Sequence, residues 1–405
     1  MKVTFCTFDA VDAINGVNVW LLRIIPALQA LGIEVRVLFI TWHPPHLCTT
    51  LPRMHSLGIR CEAVQTPYYT ERHVRGILEM LAADPPDIFV PNQLVAAMYA
   101  SKWVRQAGIP TIGVLHSDDE QTQAVQNEFV FGDNDFQLSS IVCVSKKLEQ
   151  DVLARKPKQT LVYRIPCVAD PPTGSARPPC DKFRIVYEGR LDDNVKHISC
   201  VAKAFCRAAR ELPNVEAYIY GSGPDQAKVE KILAEHGADL PVHFKGRIPS
   251  EEIHSELLKS HCITLLSDNE GLPVSLLEAM ACGVVPVCLE IAGGVSELIE
   301  DGVTGLLVHD RGDDYLAAIR KLHNNSALWE KLSEAAKVKF NREYTLEHAV
   351  SSWLELFNKL TETDVERSKI QVPARIKLPK VVAELAAADS REPPVWRKAL
   401  RKLLG

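Results

Sequence analysis

No apolar stretch in this chain approaches the ~20 residues needed to cross a bilayer. The opening MKVTFCTFDAV also lacks the long apolar core and small-residue cleavage site of a secretory signal, so a cytoplasmic protein is expected. Net charge is only −5 across 405 residues, which gives no global pull toward nucleic acid. There are eleven cysteines, an odd number, and no C-x-x-C pair; Cys143, Cys262 and Cys288 fall in apparent core strands. Reduced, buried thiols fit better than disulfides or zinc. The histidines of HPPH (His43 to His46) are separated by two prolines that prevent helical i, i+4 ligation, so loop histidines are expected. The first strand-to-helix junction, DAINGVN, has no G-x-G-x-x-G, which counts against a dehydrogenase.

The most informative segment is CITLLSDNEGLPVSLLEAMACGVVPVC, residues 262–288. It reads as strand, loop, helix and strand, with Pro273 suited to the first helical position and Gly283 to the residue past the helix end. Glu270 lies in the loop at the helix N-terminus. Glu278 lies in the first turns, where its side chain leans back toward that terminus. An acid within the apolar run Leu276, Leu277, Ala279, Met280 and Ala281 needs a partner or a ligand. The helix mouth, with free backbone N–H groups and a positive dipole end, suits a phosphate.

This string resembles the Glu-x7-Glu signature of the retaining glycosyltransferases of GT-B fold, family 4. Other residues extend the resemblance over roughly residues 1 to 360. Gly189, Arg190 and Lys196 follow the strand RIVYE in the family's GR-L…K pattern, and YGSGP resembles its G-x-G-P turn, assigned to packing or to close approach of the nucleotide. IPCVAD departs from the usual IPNGVD at Cys167 and Val168.

Alternating strands and helices imply parallel, doubly wound sheets. KVTFCTF, EVRVLFI, PDIFVP, TIGVLH and SSIVCVS are strand candidates of the first half; FRIVYEG, VEAYIYGSG, VHFKGRI, CITLL and VVPVC are those of the second. The expected α/β organisation is an acceptor-binding Rossmann-like domain over 1–170, a Pro/Gly-rich linker over 171–182, and a nucleotide-sugar-binding domain over 183–344. An amphipathic helix at about 345–361 is expected to cross back to the first domain, as in the resembled fold, with the site in the cleft between the lobes. A tail follows over 362–405, in which PPVWRKALRKLLG places Val395, Trp396, Ala399, Leu400, Leu403 and Leu404 on one helical face and four cations on the other. Such a basic amphipathic helix suits either packing or an anionic membrane surface.

The resemblance implies transfer of a sugar from a nucleotide diphosphate sugar to an acceptor hydroxyl, with retention and with no metal or other cofactor. Asp133-Asn134-Asp135 is a weak counterpart of the D-x-D motif and reads as a turn. Arg190, Lys196 and the helix-terminal amides would stabilise the leaving diphosphate. Gly271, Leu272 and Val274 supply the loop's amides, with Val274 contacting phosphate, Glu270 gripping a sugar hydroxyl and Glu278 holding the ribose. Arg247 and Ile248 stand where the family's main chain reads the base. Gly16 permits close backbone approach of a phosphate, and His116 corresponds to a histidine near the donor sugar's reacting carbon. A catalytically inactive binding or scaffold subunit and a phosphorylase are the alternatives.

Overall fold

The computed structural model describes residues 1–11, 16–64, 69–132, 135–362 and 366–393. The chain folds as two compact units: one comprises Met1–Val144, Leu148–Ile165 and the described residues from Val350 on, the other Ser145–Lys147 and Pro166–Ala349.

In the first unit, β1 (Lys2–Asp9), β2 (Glu34–Thr41), β3 (Arg60–Val64) and β4 (Ile88–Pro91) form a parallel sheet in the order β3-β2-β1-β4. β5 (Ile112–Leu115), β6 (Ser140–Cys143) and β7 (Leu161–Arg164) form a second parallel set, joined to β4 by bridges from Phe89 to Thr111 and from Asn92 to Val114. The inner strands are near-continuous apolar runs because helices cover parallel sheets on both faces. The helix Gly16–Ala30 is the first such crossover, and the chain leaves it through Gly32 at φ +84°, a conformation that favours glycine. From Val350 onward the helix Leu346–Thr361 packs in this unit, with its Trp353 ring centroid 6.3 Å from that of Phe5 and 5.9 Å from that of Trp20. The described tail also lies on this unit: Ile370, Ile376 and Leu385 are buried, and the Thr70 N–H donates to the Ser390 carbonyl at 2.7 Å. The expected basic helix over 395–404 lies outside the described residues.

In the second unit β8 (Phe183–Glu188), β9 (Val215–Tyr220), β10 (Val242–Gly246), β11 (Cys262–Leu265), β12 (Val285–Leu289) and β13 (Leu306–Val308) are all parallel, in the order β10-β9-β8-β11-β12-β13. The chain starts at the centre, winds outward to β10 and returns to β11 beside β8. This reversal makes a topological switch between β8 and β11, where open α/β sheets leave a crevice beyond the strands' carboxyl ends. The helix Val274–Cys282 starts one residue later than expected, because Pro273 sits at its cap with extended ψ of 113°. Gly283 ends it at φ +76°, and its carbonyl accepts from Ser333 Oγ at 2.6 Å.

No disulfide links cysteines among the described residues. No helix among them is long and apolar enough to cross a membrane. Strands β3, β7 and β13 were not anticipated from the sequence.

Candidate active site

Residues 189–197 leave the carboxyl end of β8 and residues 266–273 leave that of β11, so both loops border the switch point. The first loop is fixed from below by glycines. A Cβ on Gly221 would fall 1.9 Å from the Gly189 carbonyl oxygen, and one on Gly223 would fall 2.3 Å from that of Leu191. The G-x-G turn after β9 is therefore demanded by close packing on this loop. Two acids shape its crest: Asp192 Oδ1 accepts from the Asn194 N–H at 2.8 Å, and Asp193 accepts from the Ser199 N–H at 2.8 Å and hydroxyl at 2.7 Å. The Tyr187 hydroxyl donates to the Arg190 carbonyl at 2.7 Å, and burial, with the nearby Glu270 charge, pushes its pKa well up.

Lys196 Nζ lies 2.5 Å from Glu270 Oε1, with the lysine side chain 24% exposed and the glutamate 8%. The structure thus brings together two residues separated by 74 positions. The Gly294 N–H donates to the Glu270 carbonyl at 3.1 Å, and a Cβ on Gly294 would fall 2.0 Å from the Gly271 carbonyl oxygen. This second contact, absent from the sequence reading, presses the Glu270–Leu272 loop into shape; Leu272 is buried. Arg190 belongs to the same loop as Lys196 but is 65% exposed, its Nε 3.6 Å from Asp192. Glu278 is 4% exposed within the helix. It and Glu188 act on the Cys282 thiol, which burial first and these acids second push up to about 12. Val274 opens the helix with no side-chain cap from Pro273, so backbone amides present themselves at the loop.

Three residues missed by sequence reasoning complete this cluster. Asp268 donates its N–H to the Val195 carbonyl at 3.0 Å, and its carboxylate is bonded by both His197 Nε2 and Arg311 Nη2. Hydrogen bonding from His197 and then Arg311 holds its pKa below the usual carboxylate range, against the opposing effect of burial. Arg311 is itself anchored by Nε donation to the Leu266 carbonyl at 2.9 Å.

Ile248 and Arg247 lie beyond β10, where the Gly246 carbonyl accepts from the Gly221 N–H at 2.9 Å. Both line a cavity of about 480 Å³ with Arg184, Tyr218, Lys245 and Glu256. None of Arg190, Lys196, Glu270 or Glu278 lines it; of its charges, Lys259 pairs with Glu256 at 2.6 Å within the lining, and Arg184 pairs at 3.5 Å with Glu216 outside it.

In the first unit His116 follows β5. Its Nε2 is 2.8 Å from Oδ1 of the fully buried Asn92, and its ring packs edge-on to Trp20 at 5.1 Å. Burial pushes its pKa down to about 3, so the ring is neutral near pH 7. Asn92 carried no sequence signal. Gly16 opens its helix and is exposed, while Asn15 lies outside the described residues. Asp135 pairs with Lys102 at 2.8 Å; Asp133 and Asn134 also lie outside the described residues.

Two family models match the chain: a glycosyl transferase 4-like domain over residues 15–217 and glycosyl transferases group 1 over residues 175–339. Among curated proteins, the poly(glycerol-phosphate) alpha-glucosyltransferase of Bacillus subtilis is 25% identical over 249 residues, covering 61% of this chain and 36% of that protein. The N-acetyl-alpha-D-glucosaminyl L-malate synthase of Bacillus anthracis is 27% identical over 172 residues, covering 42% of this chain and 44% of that protein. The chain spans less than half the length of either relative. Of solved structures, Anabaena HepE in complex with UDP superposes with a TM-score of 0.71 at 16% identity, covering 89% of this chain and 100% of that one. The pneumococcal O-GlcNAc transferase GtfA in complex with UDP and GlcNAc gives 0.74 at 15% identity, covering 90% and 99%.

Proposed function

The chain belongs to the GT4-like glycosyltransferases of GT-B fold, and from that membership we propose that it moves a sugar from a nucleoside diphosphate sugar to an acceptor hydroxyl. The proposal extends to retention at the anomeric carbon and to independence from divalent metal. The observation that carries it is the meeting of Lys196, Glu270 and the N-terminus of the helix Val274–Cys282 at the switch between β8 and β11.

As the bond from sugar to phosphate breaks, negative charge grows on the diphosphate and positive charge on the sugar ring. Lys196, Arg190 and the amide of Val274 stabilise the former; a unit charge pair at 4 Å is worth about 4 kcal/mol at an effective dielectric of 20, enough to serve a leaving diphosphate. Glu270 accepts from a sugar hydroxyl, Glu278 from the ribose, and the amides of Gly271 and Leu272 line the loop between them. The main chain at Ile248 reads the base. In the first unit, Gly16 allows a phosphate to approach the backbone, and neutral His116 offers a hydrogen bond to the donor sugar. The leaving phosphate takes the acceptor proton. HepE and GtfA were both solved with UDP, which makes UDP-sugars the first donors to try. The proposal extends to work in the cytoplasm on a glycan, lipid-linked or small-molecule acceptor, with residues 395–404 serving either as a packing helix or as a peripheral contact with an anionic membrane surface.

The test is a panel of UDP-, GDP- and ADP-sugars, reading thermal shift and nucleotide release with and without excess chelator, and the anomeric configuration of the product by NMR. Release in chelator with retained configuration supports the reading. Inverted product, or complete loss in chelator, overturns it. Vesicle sedimentation of the full chain against a variant lacking residues 395–405 tests the membrane contact: salt-sensitive binding to anionic vesicles lost on deletion supports it, and equal non-binding removes it.

A further inference from the structure

The residue following Lys196 has an unusual backbone. His197 caps the helix Ile198–Glu211 at φ +49° and ψ +44°, the left-handed region that a side chain with a Cβ rarely enters. It does so where the chain must reverse from the loop into the helix. Its carbonyl accepts from the Cys200 N–H at 2.9 Å and the Val201 N–H at 3.1 Å, and Asp193, four residues earlier, caps the helix through Ser199. Strain of this kind persists only where surrounding structure over-determines it. Here the surroundings are Asp268, whose carboxylate takes His197 on one oxygen and Arg311 on the other, while its N–H bonds Val195. The residues on both sides of Lys196 are thereby tied to one residue two positions before Glu270, Val195 through the Asp268 N–H and His197 through its carboxylate.

We infer that His197, Asp268 and Arg311 form a positioning clamp that fixes the direction of the Lys196 ammonium, holding it where it meets Glu270 and a donor's diphosphate. The proposal rests on the donor site described above. Lysine is a flexible point charge with substantial rotamer freedom. An ammonium preorganised at the place where charge develops stabilises a transition state, whereas one that must be collected from solvent loses much of that effect. Neither His197 nor Arg311 needs to touch substrate for this. Asp268 carries both contacts, so removing its charge undoes the clamp at its centre, and removing the His197 ring undoes one arm while leaving the left-handed strain of a Cβ in place.

The experiment compares His197→Ala, His197→Gln and Asp268→Asn in the full chain by two readouts. Glutamine keeps a Cβ in the left-handed region, as alanine does, and its side-chain amide nitrogen reaches about where His197 Nε2 lies, so it can still donate to Asp268. The first readout is acylation of Lys196 by an amine-reactive ester, mapped by mass spectrometry, which requires no turnover. His197→Ala and Asp268→Asn are expected to label at least about threefold faster than wild type, and His197→Gln near the wild-type rate. The second is steady-state transfer with the donor the panel selects: a fall in kcat of about tenfold or more for His197→Ala and Asp268→Asn, a smaller change in KM, and recovery in His197→Gln. Unchanged labelling of Lys196, or equal behaviour of the alanine and glutamine variants, overturns the clamp even if the wild type transfers sugar. Faster labelling in a protein that transfers no sugar supports the clamp and overturns the enzymatic reading instead.

Discussion

In the second unit the candidate groups are charged, stand on loops beyond β8 and β11, and are held by ion pairs of Lys196 with Glu270 and of Arg311 with Asp268, the latter also hydrogen-bonded by His197. In the first unit the candidate group is neutral and packed: His116 is bonded to buried Asn92 and set against the edge of Trp20. The two environments suit different tasks. Fixed charges at a crevice answer charge that develops during a reaction. An imidazole pushed down to about 3 cannot take up a proton near neutral pH, and what it offers is an oriented hydrogen bond. On the proposed reading, charge stabilisation falls to the second unit's loops and orientation to His116 in the first unit.

The largest break in that division is expected from Lys196→Ala, which is predicted to lower kcat/KM by about two decades or more, roughly 3 kcal/mol of transition-state stabilisation. Arg190→Ala, at a side chain mostly in solvent, is predicted to cost about one decade. Steady-state kinetics with circular dichroism to verify folding decides both, and near wild-type turnover in both removes the cations from the site.

Glu270→Gln sharpens the comparison because Glu270 competes for the Lys196 ammonium. Turnover is predicted to fall by about tenfold or more while affinity for the free nucleoside diphosphate holds or rises, since the lysine loses its internal counter-ion. Calorimetric titration showing weaker nucleotide binding than wild type would contradict that competition. Glu278→Gln is predicted to do the reverse, weakening nucleotide binding by about 1 to 2 kcal/mol with a lesser effect on kcat.

The remaining prediction concerns stability rather than activity, at the neutral His116 of the first unit. A histidine held at about 3 in the fold and near its ordinary value of 6.5 when unfolded is protonated first in the unfolded chain, so its contribution to stability is full above about pH 6.5 and is lost as pH falls toward 3. His261, pushed down to about 4 by burial and by Arg184, contributes in the same direction. His116→Asn is predicted to remove about one proton's worth of slope, ~1.4 kcal/mol per pH unit, from denaturant-measured stability between pH 6 and 4. An unchanged slope would show that the ring is not buried neutral.

What could be read in advance follows the same line. Glu270 and Glu278 stood out because an acid at a helix mouth and another inside an apolar helical run are conspicuous, while Arg190 and Lys196 stood out only through their resemblance to the family's GR-L…K pattern. The strands passed over, RCEAV of β3, LVYR of β7 and LLV of β13, all lie at sheet edges, where short length or partial exposure replaces the continuous apolar run that marks a central strand. Asp268 and Arg311 stand 71 and 114 residues from His197, and no local pattern announces a contact across such distances. Gly294 was invisible for another reason: only the backbone of Gly271 pressed against it explains why no side chain fits there.

The most direct measurement is the affinity of wild type and Lys196→Ala for the nucleoside diphosphate and monophosphate of whichever base the donor panel selects. If the loops beyond β8 and β11 cradle a diphosphate, wild type binds the diphosphate more tightly, and Lys196→Ala loses that preference while keeping the monophosphate affinity. Equal weakening toward both nucleotides, or a preference that survives the substitution, would contradict the account.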